Sequence, residues 1–216
     1  MKGSTHLAIG TAIGAVASAY YPFHLENAVC YVAVAAVSAL SADLDGTSLL
    51  SSKLGKLSHW VRESALWTGV LSSLVLAYFF IAERVFYPKY AILTGSLVLL
   101  GLIMKEGALR NAMVSLCGIG LLYAGWSNGW NWLMGLGVFV AWAPWLNHRG
   151  LTHTIWAVAA WGWIAGGLES HLAIEGITVV AIAGYLSHLA ADTLTPSGVK
   201  WLYPIVRKSF RLPFHL

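Results

Sequence analysis

Residues 173–192 read AIEGITVVAIAGYLSHLAAD, and this stretch decides the fold. From Gly176 to Ser187 there is no charged side chain, and the run ends on His188 and Asp192. An apolar segment with its ionisable groups confined to its two ends, Glu175 before it and His188 and Asp192 after it, reads as a membrane helix. The rest of the chain repeats the pattern. Of its 216 residues, 58% are apolar and only 10% are charged, against roughly 25% charged in a soluble domain. So few charges cannot cover a water-facing surface, which excludes a soluble globule.

Apolar runs broken by charged or turn-forming residues fall at about 7–21, 27–42, 65–82, 91–104, 111–125, 130–147, 154–168 and 173–191. The expected fold is an all-α, polytopic membrane helical bundle of about eight transmembrane helices. It forms one membrane-embedded domain over residues 1–216, with a basic cytoplasmic tail at 199–216. Cytoplasmic loops collect Lys and Arg, and with an inside N-terminus eight spans put eleven basic residues on the inner face. They are Lys2, Lys53, Lys56, Arg62, Lys105, Arg110, Arg149, Lys200, Arg207, Lys208 and Arg211; only Arg84 and Lys89 fall outside. This split predicts that both termini lie on the cytoplasmic side of the membrane. The tail from Lys200 to Arg211 suits anionic headgroups, so membrane lipids are the expected partner. No nucleic acid is expected, because no recognised nucleic-acid fold or arginine-rich arm accompanies the tail. Cys30 and Cys117 lie within apolar runs and set no disulfide framework. The sequence carries no mark of oligomeric state.

Ionisable groups at membrane depth are costly unless paired or metal-bound. Four stretches supply them: Thr5-His6, Asp43-Leu44-Asp45-Gly46, His148-Arg149-Gly150-Leu151-Thr152-His153, and His188 to Asp192. Under the topology set by Lys and Arg alone, all four reach the cytoplasmic face. His188 and Asp192 are one helical turn apart and can chelate a single ion. His148 and His153 converge only if the backbone turns between them, a turn expected at Gly150. Gly46 ends the helix at Asp43 and Asp45, so that this pair can straddle one or two ions. The candidate metal ligands are His6, Asp43, Asp45, His148, His153, His188 and Asp192. Imidazoles with carboxylates suit Zn2+, with Mn2+ or Mg2+ as alternatives.

These motifs, together with Gly184 to Gly198 and Trp201-Leu202-Tyr203-Pro204, resemble the YdjM-type inner-membrane metal-dependent hydrolase family. The resemblance implies an inner-membrane protein with a hydrolase-like metal centre, more distantly similar to zinc-dependent phospholipases C in its HxxxD element and N-terminal histidine.

The expected activity is metal-dependent hydrolysis of a phosphoester in a lipid or other amphiphile at the cytoplasmic face. Arg149, with a planar fork suited to a phosphate oxyanion, and Asp43, or Asp45 if that is the carboxylate left unliganded, as proton acceptor are the expected catalytic groups. Thr195, Ser197 and Lys200 are expected to extend the phosphate side. Two other readings use the same ligands: a metal that staples the helix ends without turnover, and transport. Transporter sites tend to lie near the bilayer midplane between repeats, whereas these ligands gather at one face. The topology is tested by reporter fusions after Tyr87 and after Ser170, both expected to read as periplasmic. A cytoplasmic signal at either site rules out the eight-span arrangement.

Overall fold

The computed structural model describes residues 1–46 and 48–211; residues 212–216 of the basic tail, with His215, lie outside them. Among the described residues there are eight α-helices and no strands. They are α1 (Gly3–Tyr20), α2 (Leu25–Ser41), α3 (Ser52–Ala82), α4 (Pro88–Ile103), α5 (Glu106–Asn128), α6 (Asn131–Trp142), α7 (Ile155–Leu172) and α8 (Ile177–Thr193). Each of the eight apolar runs coincides with one helix.

Several ends differ from the runs by four residues or more, and two of these differences have a clear cause. α3 begins at Ser52, well ahead of its apolar run, because Lys53, Lys56 and Arg62 interrupt hydrophobicity without breaking a helix. All three are good helix formers. α6 stops at Trp142, where Pro144 enters a 3-10 turn, Ala143–Trp145. Three helical segments are long and apolar enough to cross a membrane: Leu25–Asp45, Ser52–Ala82 and Gly107–Asn128. α4 and α8 are shorter apolar helices, and the 12 residues of α6 rise only about 18 Å.

The chain divides into two compact units, Met1–Ser51 with Val114–Leu216, and Ser52–Met113. In the second unit α3 and α4 pack as a hairpin, with the Arg62 Nε donating to the Gly101 carbonyl at 2.9 Å. The first unit holds every candidate site residue and is built around α2, against which α1 and α8 both pack. Its core is Tyr31, Ala35, Ala39, Trp161, Tyr185 and Leu189, all buried. Two polar side chains of this core are paired: Trp161 Nε1 donates to Ser38 Oγ at 2.8 Å, and Tyr185 Oη to the Thr152 carbonyl at 2.6 Å. Away from the core, Val16, Val29 and Val179 are more than half exposed, as hydrocarbon-facing positions should be.

Small residues bring α2 this close to its neighbours. A Cβ on Gly14 would lie 2.4 Å from Val32 Cα, and one on Gly184 would lie 2.7 Å from the Ala35 carbonyl oxygen. Residues 199–211 fold back rather than trailing away: Val199 and Phe210 exchange backbone hydrogen bonds of 3.0 and 2.8 Å, and Ile155 N donates to the Trp201 carbonyl.

Gly14→Val is expected to separate α1 from α2 and to destabilise the protein by about 1–3 kcal/mol or more, the range for overpacking. Gly120→Ala, where an added Cβ meets nothing within 4 Å, should leave the protein as stable as the parent or slightly more so. Thermal unfolding in detergent compares the two.

Candidate metal centre

Four chain segments converge at one end of the first unit. His6 comes from the first turns of α1. Asp43 and Asp45 sit on a 3-10 turn, Ala42–Asp45, that ends α2 before Gly46. His188 and Asp192 share the last turns of α8. The segment 148–153 precedes α7, whose first turn is capped by Thr154 Oγ1 accepting from Ala157 N.

The turn at 148–153 is not made as its glycine suggested. Arg149 takes the left-handed conformation, with φ 59°, a region that costs a non-glycine residue about 1–3 kcal/mol. Gly150 has negative φ and is needed for space, since a Cβ there would lie 2.6 Å from the Asn147 carbonyl oxygen.

Asp45 joins this turn to the end of α2. Its Oδ2 accepts from Arg149 N at 3.0 Å and from Thr152 Oγ1 at 2.5 Å, and its Oδ1 meets His148 Nδ1 at 2.8 Å. That hydrogen bond raises the pKa of His148, against its partial desolvation.

The two buried imidazoles are oriented from behind. His188 Nδ1 lies 2.7 Å from the Ala39 carbonyl, which only accepts, so that nitrogen carries the proton. His153 Nδ1 faces Asp45 Oδ2 at 3.3 Å and Thr152 Oγ1 at 3.0 Å; with the hydroxyl donating to Asp45, the carboxylate calls for N–H here too. With Nδ1–H on both rings, the two Nε2 atoms face one another 3.3 Å apart, an arrangement that a positive centre between them, proton or metal, would satisfy. Asp43 Oδ1 lies 3.5 Å from His188 Nε2 and 3.8 Å from His153 Nε2. Asp192 Oδ2 lies 3.8 and 3.7 Å from the same atoms. Tetrahedral ligands with bonds of roughly 2.0–2.1 Å stand about 3.3–3.4 Å apart, so His153, His188 and Asp192, whose ligand atoms lie within 4.8 Å of one another, fit three positions of a zinc-like site after a small contraction, with Asp43 close to both imidazoles.

His6 is 1% exposed and stacks on His188 with ring centroids 3.8 Å apart. Neither of its ring nitrogens makes a hydrogen bond, a rare state for a buried polar side chain. Its Nε2 is 3.4 Å from Asp192 Oδ1, which also accepts from the Met1 ammonium at 2.7 Å.

All seven candidate ligands are thus brought together, although His148 differs from the others in being 54% exposed. Arg149 is also present, but its fork is engaged. Nη2 pairs with Asp192 Oδ2 at 3.3 Å, and Nη1 donates to Thr195 Oγ1 at 3.2 Å and to the Gly198 carbonyl at 3.1 Å. Thr195 in turn donates to the Asp192 carbonyl. Ser197 is exposed, and Lys200 holds its ammonium over the Tyr203 ring, 6.0 Å from the centroid. Sequence reasoning missed Thr152, Tyr185 and the Ala39 carbonyl. Thr152 and Tyr185 sit within the quoted motifs, but a backbone acceptor has no signature in sequence.

The sequence family described as "YdjM inner membrane protein" matches residues 1–216. Among curated proteins, the inner membrane protein YdjM of Escherichia coli (strain K12) and that of Shigella flexneri are each 41% identical over 77 residues. The match covers 31% of this chain, and the chain spans 35% of the length of these relatives. No solved structure matches.

Arg149→Lys keeps the charge but cannot hold Asp192, Thr195 and Gly198 together. Thermal unfolding should show a loss of about 1.5–3 kcal/mol, the range for hydrogen bonds to a charged group, with weaker metal retention. A variant that melts like the parent would instead leave Arg149 available to a substrate.

Proposed function

Because the chain belongs to the YdjM inner membrane protein family, we propose that it is an inner-membrane, metal-dependent hydrolase of phosphoesters in lipids or other amphiphiles. The observation that carries this reading is the pair of opposed Nε2 atoms of His153 and His188, 3.3 Å apart, with both Nδ1 atoms committed elsewhere. His153, His188, Asp192 and Asp43 would hold the cation, with His6 beside them. Zn2+ suits this donor set best; Mn2+ and Mg2+ prefer more oxygen. When bound there, such a cation acidifies water and neutralises charge on a phosphoryl oxygen.

The protein's own groups divide the remaining work. Asp45 and the Ala39 carbonyl fix the imidazoles, an orienting role that ligand histidines generally require. Arg149 positions Asp192, since its fork is already occupied. Asp43, offered by the sequence as proton acceptor, faces both Nε2 atoms and serves here as a ligand. Its side chain is 17% exposed, whereas those of His153, His188 and Asp192 are 0–3% exposed, so the open side of the centre lies at Asp43 and His148. With the basic loops read as inner, that opening would lie at the cytoplasmic face, where headgroups of the inner leaflet could reach it.

The occupied fork of Arg149 also suits an ion that only staples the helix ends, and the experiment separates the two. Detergent-purified protein is subjected to elemental analysis and then incubated with phosphatidic acid and a polyprenyl phosphate. Bound metal with phosphate release is expected; bound metal with no release from either lipid supports the staple. His188→Ala and Asp192→Ala should lose the ion, while His24→Ala, at the N-cap of α2, should retain it. Asp45→Asn should weaken affinity about 10- to 100-fold, the usual cost of removing a partner that orients a ligand. Equal metal content in all four variants would refute the centre.

A further inference from the structure

The engaged fork of Arg149 leaves the open side of the centre without a fixed cation for a phosphate. A second donor set lies there. Asp43, Asp45 and His148 each offer a ligand atom within 4.8 Å of the others, and only Asp43 is shared with the buried centre. We infer that this trio binds a second divalent cation, of the oxygen-preferring Mg2+ or Mn2+ class, with Asp43 bridging the two ions. The inference rests on the buried centre proposed above.

Three features of the structure support it. First, Asp45 Oδ1 and His148 Nδ1 are 2.8 Å apart, the edge of an octahedron whose bonds are roughly 2.0–2.1 Å. In the ion-free protein they share a proton, and a cation would take its place. Second, the trio grades from a buried anchor to solvent: the Asp45 side chain is 0% exposed, Asp43 17% and His148 54%. Mg2+ and Mn2+ keep several water or phosphate ligands and need such an open side. Third, the backbone is shaped to present His148. The left-handed Arg149 turns the chain so that the ring lies over Gly46, where a Cβ would come within 3.3 Å of Nδ1.

The division also explains the mixed ligand chemistry. The buried centre takes two imidazoles with carboxylates, whereas the outer position takes two carboxylates and one imidazole. Softer, nitrogen-rich sites favour zinc and harder, oxygen-rich sites favour magnesium or manganese. The outer cation would meet the phosphoryl oxygens that the sequence assigned to Arg149.

The test uses the full chain in detergent, stripped with chelator and titrated with Mn2+ alone. Bound ions are counted by equilibrium dialysis and their coupling is read by electron paramagnetic resonance. Two Mn2+ per chain are expected, spin-coupled because ions in two-metal sites lie roughly 3.5–4 Å apart. His148→Ala, at a half-exposed position, should keep one Mn2+ with the spectrum of an isolated ion; that retained ion shows the fold to be intact. One Mn2+ in both parent and variant would overturn the second position and leave the buried centre standing. Two uncoupled ions would overturn the Asp43 bridge, and no bound Mn2+ in the parent would overturn the second position, because the nitrogen-rich buried centre favours Zn2+ and its metal content is read separately by elemental analysis.

Discussion

The Asp45 carboxylate is the contact on which the rest of the site depends. It is buried where an unpaired charge would cost several kcal/mol, and both oxygens are therefore occupied. His148 Nδ1 meets one, while Arg149 N and Thr152 Oγ1 donate to the other. Through these bonds the end of α2 is tied to the turn before α7. The same carboxylate stands behind His153, so a single group sets the position of the turn and the protonation of the ring. It also accounts for the left-handed Arg149. The backbone N–H that Arg149 presents to Asp45 exists in that direction only because the chain has turned there, which offsets a strained conformation with a charge-assisted hydrogen bond.

The fold was legible wherever composition alone decides it. Eight apolar runs became eight helices because a long stretch without charge has few other ways to satisfy its backbone in a membrane. Helix ends were less legible. Ser52–Lys56 was missed as the start of α3 because hydrophobicity reports lipid contact, whereas helix formation also proceeds through Lys and Arg. The early end of α6 was foreshadowed by Pro144, which cannot continue a helix.

The site shows a similar split. Its residue types stood out because ionisable side chains are scarce in this chain, and all seven gathered. Their roles were less visible. Asp43 and Asp45 are chemically identical and two residues apart, yet the first faces the imidazole Nε2 atoms and the second supports one ring from behind. That distinction is set by which way the 3-10 turn directs each side chain. Gly150 drew attention as the flexible residue, but the unusual torsion fell on Arg149, since the hydrogen bond to Asp45 requires it there. Arg149 itself looked free for a substrate because its partners, Thr195 and Gly198, lie more than forty residues away in sequence.

A metal between His153 and His188, as proposed, would account for more of the local geometry than a proton. A proton can bridge only two atoms, and would join the two Nε2 atoms as a single hydrogen bond. It would leave Asp43 Oδ1 at 3.5–3.8 Å from both nitrogens, too far for hydrogen bonds. A carboxylate oxygen from each of two segments instead stands on both Nε2 atoms at 3.5–3.8 Å. A multivalent ion would draw on these groups together, and the helix ends that carry them are held in register by the same set of contacts.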